Sequence, residues 1–169
     1  MNPPSPPVSR FQHILFCTDF SESADAAFEF ALDAALRRPG STLHLLHVIH
    51  EPDAQFWKSY LYEIDNIDAQ AKAAIDAKVA AAYYARLPPG LELQPEYRIG
   101  PDAATIIEFA RARQMDLIVL GRHGHSSMGR KLFGSVAEKV VRKAACPVLV
   151  VPLSYAQATP PDPPPVAVD

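Results

Sequence analysis

Gly121, Gly124, Gly134 and Ser135 set the chemical question. They punctuate a loop that follows the apolar run Leu117, Ile118, Val119, Leu120 and precedes a helical pattern beginning at Val136. A helix start exposes backbone N–H groups that have no intrahelical acceptor, and the helix dipole adds partial positive charge there. With glycine keeping side chains out of the approach, such an end suits a phosphate. The spacing is not that of a P-loop, because Arg130 and Lys131 stand where a lysine and a hydroxyl residue belong, and it is not GxGxxG. A second reading stands beside the first: a surface loop turned by Gly124 and Gly129 and closed by a capping box of Ser135 with Glu138.

Asp19 is the other residue placed for chemistry. It follows the apolar run Ile14 to Cys17, where a carboxylate can bond a ligand hydroxyl or amino group or stand beside a metal and phosphates. Alternatively Asp19 or Ser21 caps the next helix. His44, His47 and His50 have a metal-ligand spacing for a helix. In a strand, an offset of three puts neighbours on opposite faces, so no metal site is expected from them. His123 and His125 flank Gly124 and read as solvent-exposed or phosphate-facing imidazoles. No nucleophile elbow and no Ser, His and Asp arrangement is present, so no catalytic residue is assigned.

The elements that must position these residues come next. The 169 residues are about half apolar, which suits one globular domain with a proper core. A net charge of −3 with scattered basic residues argues against nucleic acid and anionic membranes as partners. No apolar run reaches the roughly 20 residues of a membrane span and Met1 to Arg10 lacks a signal h-region, so the expected location is the cytoplasm. Cys17 and Cys146 form no framework and read as buried, reduced core residues.

Residues 1–10 and 154–169 are rich in proline and read as disordered tails around a domain over 11–153. Within it, short apolar runs alternate with amphipathic ones, the signature of βαβ units and a parallel sheet. Strands are expected at Ile14 to Cys17, Thr42 to Ile49, Leu91 to Ile99, Met115 to Leu120 and Pro147 to Val151. The first helix buries Ala24, Ala27, Phe28, Ala31, Leu32 and Ala35 and stops at Pro39 and Gly40. The second runs through Ile64, Ile67, Ala71, Ala74, Ile75, Val79 and Ala82, after an aromatic-containing linker from Glu51 to Tyr62. Asp102 reads as the N-cap of a third, with Ile106, Ile107 and Ala110 inward. A fourth, after Ser135, buries Val136, Val140, Val141 and Ala144. Pro95 marks the third strand as an edge, which selects the order 3-2-1-4-5 in a doubly wound, Rossmann-like α/β fold. The winding then reverses between strands one and four, and ligands in such sheets bind beyond the strand ends at that point. Asp19 and the glycine loop are thereby expected in one crevice.

At these residues the chain resembles the universal stress protein family, in the branch that binds ATP. The family pattern is GxxG, nine residues, then glycine and serine or threonine, and Gly121, Gly124, Gly134 and Ser135 keep it. ILFCTDF from Ile14 to Phe20, LLHVI from Leu45 to Ile49 and CPVLVVP from Cys146 to Pro152 resemble the family's first, second and last strands. The resemblance implies an adenine nucleotide alpha hydrolase-like fold and a homodimer paired through the last strand, with ATP and Mg2+ held in the crevice. By motif, Thr18, Asp19 and Val48 would face the adenine and ribose, Gly121, Arg122 and Gly124 the ribose and first phosphates, and Gly134, Ser135 and Val136 the outer phosphates. It implies a nucleotide-dependent regulator in stress response that acts on a protein partner. The alternatives are a slow ATP hydrolase and a ligand-free dimeric interaction module.

Overall fold

The computed structural model describes residues 11–49, 67–124 and 133–156. Residues 1–10 and 157–169, the linker over 51–62, Ile64, His50, His125, Gly129, Arg130 and Lys131 lie outside the described residues, whereas Ser154 to Ala156, expected in the C-terminal tail, continue a short helix, Leu153–Ala156. Five strands form one all-parallel sheet in the order β3-β2-β1-β4-β5, as the edge proline implied. They are β1 (His13–Cys17), β2 (Thr42–Ile49), β3 (Leu93–Ile99), β4 (Leu117–Gly121) and β5 (Val148–Val151). The boundaries shift by one or two residues from the sequence reading. Met115 and Asp116 belong to the turn into β4, and Gly121 carries that strand one residue further. Pro95 pairs with Leu45 on β2 in an edge strand, where its missing N–H is harmless.

Alternation along the buried strands sends side chains to two helical layers. Ile14 and Phe16 of β1 join α1 (Glu22–Leu36) and α2 (Ile67–Ala82), through Ala27, Phe28 and Val79. Leu15 and Cys17 join α3 (Asp102–Ala112) and α4 (Ser135–Lys143), through Ile106, Phe109, Ala137 and Val140. Burying each of these larger apolar side chains contributes about 1.5–3 kcal/mol. The six α1 residues expected inside are all buried. Ala74 of α2 faces solvent instead, because the helix meets the sheet along Ile75, Val79 and Tyr83. On α3, Ile106 and Ala110 are buried while Ile107 lies at the margin.

Helix starts differ from the sequence reading at two places. Pro101, extended at φ −67° and ψ 120°, occupies the N-cap position of α3, so Asp102 is the first helical residue and not the N-cap. Its charge still suits the positive end of the dipole. On α4 the N-cap is Gly134, so Ser135 is the first helical residue and the Ser135–Glu138 capping box does not form. Glu138 stands near Arg142 at 3.7 Å instead. Frame matters for the buried stripe as well: Ala137 and Val140 are inside, Val136 and Ala144 are partly covered, and Val141 is 49% exposed. Cys146 is only half-buried, whereas Cys17 is fully packed, and both are free thiols.

Asp116 sets the registration of the two strands that flank the reversal point. Its carboxylate accepts the amides of Gln12 (2.7 Å) and His13 (3.1 Å), and its own N–H bonds to the His13 carbonyl (2.9 Å). Ile14, Leu15 and Phe16 then lie opposite Leu117, Ile118 and Val119. The ends of β1 and β4 emerge side by side.

Candidate functional site: the crevice beyond β1 and β4

After Cys17 the chain turns through Thr18, Asp19, Phe20 and Ser21. Thr18 is buried and held on three sides. Its N–H bonds to the Leu46 carbonyl (3.0 Å), and its hydroxyl takes the Phe20 N–H (2.9 Å) and pairs with the Tyr83 hydroxyl (2.6 Å). Its carbonyl accepts His47 Nδ1 (2.9 Å), which therefore carries the proton. Phe20 is left-handed, at φ 61°. A bulky residue in that region stores about 1–3 kcal/mol, held only where the surroundings over-determine it.

Both halves of the capping alternative are resolved by the geometry. Ser21 is the N-cap of α1, accepting the Ala24 N–H (3.3 Å). Asp19 supports that cap, its Oδ1 accepting the Ser21 N–H (3.0 Å) and hydroxyl (2.5 Å). The other carboxylate oxygen is aimed at the glycine loop: a Cβ on Gly124 would run into Asp19 Oδ2. Asp19 and the loop do share one crevice.

The loop is pinched at its neck. Arg122 N–H bonds to the Val151 carbonyl (2.9 Å), and the Arg122 carbonyl accepts the Gly134 N–H (2.8 Å). That second bond places Gly134 at the head of α4. The first helical bond of α4 runs from Glu138 N–H to the Gly134 carbonyl (3.0 Å), so the N–H groups of Ser135, Val136 and Ala137 have no acceptor within the helix. Gly121 sits hard against the first turn of α1, where a Cβ would meet Ser23 Oγ at 2.6 Å and the Ser23 backbone at 2.7 Å. Val48 lies half-buried near the end of β2, on the α3–α4 side of the sheet.

His123 is half-buried rather than solvent-exposed. Its Nε2 accepts from Arg122 Nε (3.2 Å), and its buried Nδ1 has no partner among the described residues. His44 and His47 point to opposite faces of β2, as strand geometry requires, and no group of three metal-liganding side chains occurs among the described residues. Three residues around the crevice were not singled out from the sequence, Phe20, Ser23 and Tyr83, and His47 was weighed only as a metal ligand. Phe20 and Ser23 carried a signal, adjacency to Asp19 and to the expected cap. His47 and Tyr83 carried no signal for a place at this turn, because they arrive from other elements.

Burial lowers the pKa of His47, with the Thr18 carbonyl and Asp19 partly opposing, and lowers that of His44, whose buried Nδ1 has no partner among the described residues. Burial also pushes the Tyr83 hydroxyl up to about 12, so it stays a neutral hydrogen-bonding group. For the two histidines the sign follows from linkage. Below about pH 6.5 the unfolded chain binds protons that the folded chain resists, so stability is full above that pH and falls as the pH drops toward the lowered folded values. Urea midpoints are expected to decline between about pH 7 and 5.5, less so in a His44→Phe variant. A variant declining as steeply as the parent would contradict the His44 share.

Comparison with known proteins agrees with this geometry. Residues 10–152 match the universal stress protein family. Universal stress protein MJ0577 of Methanocaldococcus jannaschii is 29% identical, over 83% of this chain and 94% of its own length. A second protein of that organism, MJ0531, is 47% identical over 62 residues, 37% of this chain and 36% of its own length. The universal stress protein of Archaeoglobus fulgidus in complex with dAMP superposes with a TM-score of 0.55. It covers 83% of this chain and 97% of its own, and at 22% identity that likeness is one of fold. With the five-stranded 3-2-1-4-5 sheet, the glycine spacing and a match over most of its length, the chain belongs to the universal stress protein family.

Proposed function

We propose that this chain is an ATP-binding regulator that works as a homodimer. One observation carries the reading: two glycines clear the mouth of a crevice whose back wall is a helix N-terminus with three N–H groups lacking intrahelical acceptors. That arrangement suits a polyphosphate. Ser135 and Val136, with Gly134, would take the outer phosphates, and Gly121, Arg122 and Gly124 the ribose and inner ones. Asp19, turned toward Gly124, is placed to accept a ribose hydroxyl, with Val48 as an apolar contact for the base and Thr18 anchoring the turn beneath. The dAMP complex of a protein with this fold supports an adenine nucleotide.

Mg2+ would come with the phosphates and keep several waters, since the described residues offer no protein cage for it. The function is binding and not turnover: Asp19 spends one oxygen on the Ser21 cap, and no base is assigned for activating a water. Occupancy would be relayed through the segment joining Gly124 to Phe133, whose ends are pinned by the Arg122–Gly134 bond, to a surface that a protein partner reads. Dimerisation along β5 is supported by its place at the sheet edge and by the exposed apolar Leu149 that it carries.

The test begins with nucleotide released from the purified protein, identified by mass spectrometry. Calorimetry of the stripped protein with Mg-ATP should then show saturable heat, and sedimentation should show a dimer. No copurified nucleotide together with no heat overturns the ligand, and a monomer at micromolar concentration overturns the assembly. Turnover clearly above that of a Ser135→Ala control would make the protein an enzyme instead.

A further inference from the structure

The turn that carries Asp19 is held by groups outside the glycine and aspartate motif. Thr18 and Phe20, on either side of Asp19, are the anchored points. His47, from β2, donates Nδ1–H to the Thr18 carbonyl (2.9 Å), and its ring lies 4.8 Å from that of Phe20. Tyr83, following α2, holds the Thr18 hydroxyl and stacks on Phe20 at 6.1 Å. Phe20 would leave its left-handed conformation without such support. Asp19 itself touches neither His47 nor Tyr83 in any of these bonds, yet its direction is set by the two residues they anchor. The charged groups around His47 are Asp19, Lys78 of α2 and Asp102 of α3.

We propose that His47 is a positioning residue of the crevice: its bond to the Thr18 carbonyl fixes the Thr18–Ser21 turn, and so fixes Asp19 against Gly124. Its ring nitrogen and its ring face are engaged by Thr18 and Phe20, so it acts through the turn. The affinity arm of the test rests on the nucleotide reading above, and the spectroscopic arm does not.

Asparagine can present an N–H near the Nδ1 position, while phenylalanine keeps the ring against Phe20 and loses the donor. Mg-ATP affinity is expected to fall about 3–10-fold in His47→Phe and to stay within about twofold in His47→Asn. In an Asp19→Asn background, His47→Phe should change affinity by less than about twofold, because the group it positions is already altered. Equal loss in both backgrounds, equal loss in both His47 variants, or no loss in His47→Phe overturns the proposal. Ring-nitrogen NMR of the parent protein supplies the independent arm. It should show the proton on Nδ1, with the Asp19 to Ser21 amide signals displaced in His47→Phe and kept in His47→Asn. A proton on Nε2, or undisplaced amides, overturns the proposal even if ATP does not bind. If ATP fails to bind while these signals behave as expected, the nucleotide reading falls and the positioning role stands.

Discussion

Gly134→Asp is expected to yield a folded protein that no longer retains nucleotide. Gly134 is the N-cap of α4 at φ −64° and ψ 153°, a conformation that aspartate adopts readily. An aspartate there would direct its carboxylate at the N–H groups of Val136 or Ala137, the donors a phosphate needs, and would add a negative charge facing the ligand. Losing two charge-assisted bonds removes about 3 kcal/mol or more, a factor of about 100 in affinity. The helix itself gains a cap, so the melting temperature should not fall by more than the Cβ at this buried position costs. Gly134→Ala measures that steric cost separately. Calorimetry with Mg-ATP on the two variants reads the result; undiminished affinity in Gly134→Asp would remove the outer phosphates from α4.

The second large effect is on stability. Gly121→Ala puts a Cβ 2.6 Å from Ser23 Oγ and 2.7 Å from the Ser23 carbonyl carbon and oxygen. A rotamer change frees only the hydroxyl. The backbone contacts remain, so the first turn of α1 must move off β4, at about 1–3 kcal/mol. Denaturant midpoints should therefore fall in Gly121→Ala, and Ser23→Ala should not rescue it. Rescue would show that the hydroxyl alone was in the way. Gly124→Ala provides the contrast, because among the described residues its new Cβ meets the Asp19 carboxylate, the end of an exposed side chain. Its stability should fall less than that of Gly121→Ala, by no more than the Asp19–Ser21 bonds contribute, while its nucleotide affinity falls because Asp19 must turn away.

These two glycines show where local sequence ends as a guide. Gly121 and Gly124 are identical residues in one motif, yet one is required by a backbone of α1 and the other by a carboxylate after β1. Sequence periodicity placed all five strands, because strands buried on both faces read as short apolar runs whatever lies against them. It also placed α1, whose inward stripe of alanines, Phe28 and Leu32 is continuous. The fold class and strand order followed from that alternation and from one edge proline. The shared crevice of Asp19 and the glycine loop followed in turn, since position in a parallel sheet is set by topology.

What the tertiary structure decided is finer and concerns frame and partnership. By pattern Ser135 is the cap of α4, whereas the structure puts Gly134 there, bonded to the Arg122 carbonyl, and leaves Ser135 inside the first turn. The buried stripe also differs from the pattern, with Val141 at the surface and Ala137 in the core. The bond that fixes this helix start comes from Arg122, on the far side of the loop. The supports of Asp19 were hidden for the same reason: His47 and Tyr83 meet Thr18 across separations of 29 and 65 residues. Types and spacing along the chain determined which groups could hold a phosphate and which strand ends would carry them. Only the packed structure determined which hydroxyls, amides and rings are already committed to one another, because hydrogen bonds between distant elements leave no period in a sequence.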